Sequence, residues 1–105
     1  MSWVDIGAAD LEDGELRDVV SGDLHLGVAR QGDAWHAFEV WCTHEECPLT
    51  EGWLEGGAVR CACHGALFDL ATGEPLDGPA DQPIRIFDTR EVDGRVESQL
   101  PTTDT

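Results

Sequence analysis

Two short motifs place cysteine close to histidine near the middle of the chain. The first is the Cys-x-His of Cys42 and His44, and the second is the Cys-x-x-His of Cys61 and His64. Sixteen residues separate His44 from Cys61. Thiolates and imidazoles are both ligands that suit iron and zinc. The spacing therefore predicts two loops, each of which contributes one sulfur and one nitrogen to a shared metal centre.

Two kinds of metal centre are compatible with this set of donors. The first is a binuclear iron–sulfur cluster in which two thiolates bind one iron and two imidazoles bind the other. Compared with a cluster held by four cysteines, this cluster carries two fewer negative charges, which raises its reduction potential. A tetrahedral zinc site uses the same residue types. Classical zinc sites take two cysteines from one knuckle and two histidines from a helix, whereas each motif here mixes the two types. The pattern favours the iron–sulfur cluster, with structural zinc as the alternative.

The charge of the chain limits its partners. The 105 residues include 22 Asp and Glu against 6 Lys and Arg, a formal net charge of −16. Such a surface repels nucleic acid and anionic membranes, and it favours partners with a basic docking face. Glu45 and Glu46, beside His44, are candidates to meet such a face. The sequence has no recognisable signal peptide or membrane-spanning stretch, which predicts a cytoplasmic protein without a membrane partner.

Short apolar runs between turns rich in Gly and Asp predict an all-β protein without helices. The predicted strands are residues 3–6, 16–20, 24–30, 34–40, 54–55, 58–60, 67–70, 83–90 and 95–98. Residues 1–105 are expected to form one domain. In that domain, residues 1–40 and 80–105 form a β framework. Residues 41–79, approximately, form a cluster-binding subdomain that contains all four cysteines.

The two remaining histidines do not extend the candidate site. His25 and His36 both fall in predicted strands, where a histidine is usually a residue of the sheet surface. A mononuclear iron enzyme needs two histidines and a carboxylate, and the sequence has no nucleotide-binding glycine loop. These observations predict an electron carrier rather than an enzyme. The four tryptophans are expected to pack, with Trp53 beneath the cluster loops and the others in the framework or at its junction.

The pair of motifs closely resembles that of the Rieske family, whose pattern is Cys-x-His, a spacer of about this length, and Cys-x-x-His. Residues 67–73 also resemble the segment that follows the second motif in soluble Rieske ferredoxins, and residues 78–80 resemble the proline-containing loop that covers the cluster. The resemblance implies the Rieske fold, with three stacked antiparallel sheets and the cluster at the tip of a small subdomain. It also implies a [2Fe–2S] cluster whose ligands are Cys42, His44, Cys61 and His64.

Cys47 and Cys63 resemble a pair that forms a disulfide in the Rieske proteins of respiratory and photosynthetic complexes. Soluble dioxygenase ferredoxins usually lack this pair. Cytosolic reductants act against a disulfide, whereas burial beside a cluster protects it. The alternative is two free, packed thiols, and the sequence leaves both possibilities open.

Ala66 and Phe68 occupy positions where high-potential Rieske proteins have a Ser and a Tyr that donate hydrogen bonds to sulfur. Without those donors, the expected potential is near the low end of the Rieske range, about −150 mV. The resemblance therefore implies the ferredoxin of a multicomponent aromatic-ring dioxygenase. Such a monomer would take electrons from an FAD-dependent NAD(P)H reductase and pass them to the Rieske centre of a terminal oxygenase. The alternative is the Rieske-like small subunit of a larger reductase, such as assimilatory nitrite reductase.

Overall fold

Eleven short strands form three antiparallel sheets in the part of the chain that the structure describes. This computed structural model describes residues 2–22, 24–41, 47–63, 65–77 and 82–100. The strands are β1 (Ser2–Ala8), β2 (Leu16–Ser21), β3 (Leu24–Gln31), β4 (Ala34–Glu39), β5 (Trp53–Glu55), β6 (Ala58–Arg60), β7 (Leu67–Asp69), β8 (Pro75–Asp77), β9 (Ile86–Phe87), β10 (Thr89–Val92) and β11 (Arg95–Leu100). The sheets have the strand orders β1-β11-β10, β2-β3-β4-β9 and β5-β6-β7-β8. The predicted fold class, all-β with three antiparallel sheets, is confirmed.

The first two sheets, called the framework below, combine strands from both ends of the chain. β1 pairs with β11 in a register that runs from Ser2 opposite Leu100 to Ala8 opposite Arg95. β9 pairs with β4, so that Phe87 lies opposite Ala37. The framework strands thus come from the parts of the sequence that precede and follow the segment with the two motifs.

The third sheet uses strands from residues 53–77 only, and each strand has three residues. β5 and β6 are joined by a tight turn at Gly56 and Gly57, and Gly56 has a φ of +59°. Strands this short have few ladder hydrogen bonds and bury little surface. The third sheet must therefore be ordered largely by its contacts with other parts of the molecule.

A shared core provides one set of those contacts. Framework side chains such as Phe38 are buried against third-sheet side chains such as Phe68. The members of this cluster are Ala29, Phe38, Cys47, Leu49, Val59, Cys61, Ala66, Phe68, Leu70 and Ile84. A second cluster lies between the two framework sheets and contains Ile6, Leu11, Leu26, Val28, Ala37, Phe87, Val96 and Leu100.

Gly73 fixes the turn between β7 and β8 against the chain that enters β9. Its φ is +81°, and a Cβ at this position would lie 2.1 Å from the carbonyl oxygen of Ile84. The Ile84 amide donates to the Gly73 carbonyl at 2.9 Å. Any side chain at position 73 would push the two segments apart, so this contact requires glycine.

The predicted single strand over residues 83–90 is wrong, because the chain changes sheets at Asp88. β9 pairs with β4 in the second sheet, whereas β10 pairs with β11 in the first. The Asp88 carbonyl accepts hydrogen bonds from the Gln99 amide and the buried Ser98 hydroxyl, both at 2.9 Å. These bonds to β11 satisfy the backbone at the crossing point, which periodicity in the sequence could not reveal.

Two further elements differ from the sequence prediction. β8 was not predicted, and Leu49–Glu51 forms a single 3-10 turn between β4 and β5. Within the described ranges, no helix has the length and apolar character needed to cross a membrane.

Candidate metal centre

The second motif lies on a tight loop between β6 and β7. The Cys61 amide donates to the Ala66 carbonyl at 2.7 Å, and the Gly65 amide donates to the Cys61 carbonyl at 3.0 Å. Gly65 has a φ of +79°, a conformation that side chains rarely adopt. The loop therefore reverses the chain within six residues. His64 lies outside the described residues, and its neighbours on both sides belong to this loop.

Three cysteine sulfurs meet beside this loop. The Sγ atoms of Cys47, Cys61 and Cys63 all lie within 4.8 Å of one another. Cys47 and Cys63 form a disulfide, and their Cα atoms are 6.4 Å apart. Among the described residues, Cys61 is the free cysteine, and it is buried. A disulfide sulfur cannot act as a thiolate ligand, so Cys61 is the thiol that this group can offer to a metal.

The described residues on either side of the first motif are joined by backbone contacts. Trp41 forms an isolated antiparallel bridge with Pro48, and the Leu49 amide donates to the Val40 carbonyl at 2.6 Å. Residues 42–46 lie outside the described residues, so the structure does not describe Cys42, His44, Glu45 or Glu46. Cys47, three positions after His44 in the sequence, is the first described residue after this gap, and its disulfide joins it to Cys63 of the second motif.

Ala66 and Phe68 are both buried where the second loop enters β7. Neither side chain carries a hydrogen-bond donor, so these two positions offer only apolar surface to the interior beneath the loop. Residues 78–80, which resemble a covering loop, lie outside the described residues.

Sequence reasoning missed Arg60, which immediately precedes Cys61. Its guanidinium donates to the Gly65 carbonyl at 2.6 Å and makes two hydrogen bonds to the Glu55 carboxylate, at 2.7 and 2.9 Å. The hydrogen bonds from Arg60 and from the Trp53 indole lower the pKa of Glu55. The position of Arg60 beside a ligand motif was the one sequence signal that could have drawn attention to it.

Two tryptophans near the loops are more exposed than predicted. Trp41 is 41% exposed and Trp53 is 48% exposed, so neither is a packed core residue. The Trp41 ring meets the edge of His25 at 5.5 Å between centroids. The Trp53 indole N–H donates to Glu55 at 2.7 Å. Both side chains are held by polar neighbours on the surface rather than by the core.

His25 and His36 lie on β3 and β4, within the framework. The His25 Nε2 atom is 3.7 Å from a carboxylate oxygen of Asp18. Burial lowers the pKa of His36, and the nearby Asp69 carboxylate offsets this only in part. Both histidines are residues of sheet strands, as the sequence predicted.

Comparison with known proteins covers most of the chain. Residues 2–88 match the family described as Rieske [2Fe-2S] domain. The anthranilate 1,2-dioxygenase ferredoxin subunit of Burkholderia cepacia is 38% identical over 96 residues, which are 90% of this chain and 89% of that protein. A chain in the complex of reduced oxygenase and oxidized ferredoxin in carbazole 1,9a-dioxygenase is 36% identical, with a TM-score of 0.86 over 91% of each chain. A ferredoxin from Sphingomonas yanoikuyae B1 is 27% identical, with a TM-score of 0.89 over 95% of this chain and all of that one.

A nitrite reductase small-subunit structure from Mycobacterium tuberculosis is also similar. Its TM-score is 0.82 over 96% of this chain and 97% of that one, at 22% identity. At this level of identity the likeness is one of fold. The dioxygenase ferredoxin subunit and the carbazole dioxygenase chain are similar at 38% and 36% identity, over about nine-tenths of both chains.

Proposed function

Because the chain belongs to the Rieske [2Fe–2S] family, we propose that it is the one-electron carrier that supplies a terminal oxygenase of the aromatic-ring dioxygenase type. The observation that carries this proposal is the 38% identity to a dioxygenase ferredoxin subunit over nine-tenths of both chains. The chain is an electron-transfer component and not itself an enzyme. Its cofactor is a Rieske-type [2Fe–2S] cluster with two cysteine and two histidine ligands.

The ligand set that we propose is Cys42 and Cys61 on one iron and His44 and His64 on the other. When bound, the cluster accepts and releases one electron. The buried free thiol of Cys61 supports the assignment, because burial beside the Cys47–Cys63 disulfide keeps this sulfur away from solvent. The disulfide also supports it, since it joins Cys47, three positions after His44, to Cys63, which directly precedes His64. Zinc is disfavoured by the mixed Cys and His content of each loop.

The reduction potential is proposed to lie near the low end of the Rieske range, about −150 mV. Ala66 and Phe68 provide no hydroxyl that could stabilise the additional negative charge of the reduced state. The net charge of −16 acts in the same direction, since it disfavours the addition of an electron. Such a potential suits transfer between a flavin and a second Rieske centre.

The proposed partners are an FAD-dependent NAD(P)H reductase and a terminal Rieske oxygenase. An acidic carrier is attracted over long range by basic docking faces, and this attraction speeds encounter without requiring a large interface. Glu45 and Glu46 are proposed to take part beside the cluster. The carrier is proposed to act as a monomer in the cytoplasm, with neither nucleic acid nor membrane as a partner.

A redox titration followed by EPR tests the cofactor and the potential together. The expected result is one electron per chain, a reduced-state signal of low average g, and a midpoint near the low end of the range. A colourless protein that contains zinc would contradict the cluster, and a midpoint above about +100 mV would contradict the dioxygenase assignment.

Reconstitution tests the place in the electron chain. NADH, a ferredoxin reductase and a terminal oxygenase are combined with and without this protein, and oxygen uptake that depends on the aromatic substrate is measured. We expect uptake only when the carrier is present. Equal uptake without it would contradict the proposed function.

A further inference from the structure

Arg60 connects four parts of the third sheet. It is the last residue of β6, and its side chain is only 23% exposed. Its guanidinium binds both carboxylate oxygens of Glu55 on β5 and lies 3.5 Å from a carboxylate oxygen of Asp77 on β8. The same group donates to the Gly65 carbonyl on the loop between β6 and β7. One side chain thus joins three strands to the loop of the second motif.

The bond to Gly65 acts on the part of the loop that follows His64. It is a charge-assisted bond of 2.6 Å, a class that is stronger than bonds between neutral groups. Because Gly65 has a positive φ, its carbonyl is held in an orientation that other residues would resist. The contact therefore fixes the backbone beside a proposed cluster ligand.

The charge of Arg60 is paired with two carboxylates: the guanidinium makes a bidentate contact with Glu55, and an oxygen of Asp77 lies 3.5 Å away. Arg60, Glu55 and Asp77 together carry a net charge of −1, whereas the two carboxylates without the arginine carry −2. Loss of the guanidinium would therefore leave an uncompensated acidic pair beside the loop.

We propose that Arg60 is a positioning residue that fixes the second cluster loop and supplies a positive charge that raises the reduction potential of the cluster. This inference rests on the proposed function, because it requires the loop of Cys61 and His64 to hold the cluster. A nearby positive charge stabilises the reduced state, which carries one more negative charge than the oxidised state.

The test compares the holoprotein with the variants Arg60→Gln and Arg60→Lys. At a fixed ambient potential, Arg60→Gln is expected to lower the ratio of reduced to oxidised protein three- to tenfold, and tenfold corresponds to 59 mV for one electron. Arg60→Lys keeps the charge but lacks the planar fork of donors. Its shift in potential from the wild type should therefore be at most half of the shift in Arg60→Gln. Both variants should release the cluster faster than the wild type.

Arg95→Gln is the matched control. Arg95 makes an equally bidentate contact with Asp5, but it lies on β11 in the first sheet. Its loss should leave the potential unchanged. An unchanged ratio in Arg60→Gln, or an equal shift in Arg95→Gln, would overturn the inference.

Glu55→Gln provides a test of opposite sign that does not depend on Arg60→Gln folding. Removal of one negative charge should raise the ratio of reduced to oxidised protein, and a fall or no change would overturn the inference. These outcomes are distinct from failure of the proposed function. A wild-type protein without a Rieske EPR signal contradicts the function itself, whereas a normal wild type with unresponsive variants contradicts only the role of Arg60.

Discussion

The framework and the third sheet are stabilised in different ways. Framework strands have up to eight residues, and the two framework sheets enclose an apolar cluster of their own. The strands of the third sheet have three residues each. They are stabilised by a disulfide, by the Arg60 contacts and by an apolar core that they share with the framework. The region that is proposed to hold the cofactor is thus ordered by a few specific contacts. Single substitutions should therefore separate cofactor binding from folding.

The largest effect is expected from Cys61→Ala, which removes a proposed ligand. The variant should lose the visible absorbance and the EPR signal of the cluster completely. Amides of β3 should remain protected from hydrogen exchange, while those of β6 and β7 should exchange faster. Ala58→Ser, at a buried position of the neighbouring strand β6, is the control and should keep the cluster. Retention of the cluster in Cys61→Ala, or loss of protection in β3, would contradict the contrast between the two regions.

Removal of the disulfide should have the next largest effect. The bond joins residues 16 apart in sequence, and a closed loop of this length is worth about 3 kcal/mol in the chain-entropy account. The double variant Cys47→Ser and Cys63→Ser should therefore lose about 3 kcal/mol from the free energy of unfolding of the apoprotein. Chemical denaturation with and without reductant measures the difference. If reductant destabilises the wild type and the double variant equally, the disulfide does not make this contribution.

The potential should respond to hydroxyl groups beneath the loop but not to hydroxyl groups in the framework. Ala66→Ser combined with Phe68→Tyr should move the midpoint upward within the Rieske range of about −150 to +300 mV, because each new hydroxyl can donate toward the cluster. Ala37→Ser combined with Phe38→Tyr adds the same groups at equally buried framework positions. This control should lose stability and keep its potential. Equal shifts in both pairs would show that the effect is not local.

The smallest expected effect is a dependence of framework stability on pH. Burial lowers the pKa of His36, and within the described residues its buried Nε2 atom has no hydrogen-bond partner. Between this lowered value and the usual value of about 6.5, the unfolded chain binds more protons than the folded one. The free energy of unfolding should therefore fall as the pH drops from 7 through that window. His36→Gln should remove this slope, which denaturation at several pH values measures, and an unchanged slope would assign it to other groups.

The sequence predicted most of the fold because alternating apolar residues and glycine-rich turns are local signals. The β2-β3-β4 meander and the β5-β6 hairpin follow directly from such patterns. The exchange of sheets at Asp88 was not predictable, because it depends on Gln99 and Ser98, which are about ten residues away in sequence. β8 was missed because it has only three residues and begins with Pro75, so it shows no alternation and carries a residue that is rare in strands.

The candidate site was predictable in its chemistry but not in its supporting contacts. The types and spacing of the proposed ligands, Cys61 among them, favoured a [2Fe–2S] cluster over zinc, since each motif mixes cysteine with histidine. The Arg60 contacts depend on side chains from three strands that meet only in the folded sheet. Charged residues are common on any surface, so neither Glu55 nor Asp77 carries a local signal of this role.

The contact between Gly73 and Ile84 has a consequence for how the carrier works. Here the third sheet contacts the chain that enters the framework strand β9 so closely that a methyl group would not fit between them. The shared apolar core lies between the same two regions. A hinge at this place would have to break both contacts, so we expect the two regions to move together. The carrier must then travel as a whole between its donor and its acceptor. The rate of electron delivery then depends on diffusion to each partner, on encounter and on release. The encounter rate should depend on ionic strength, because salt screens the charges of the carrier.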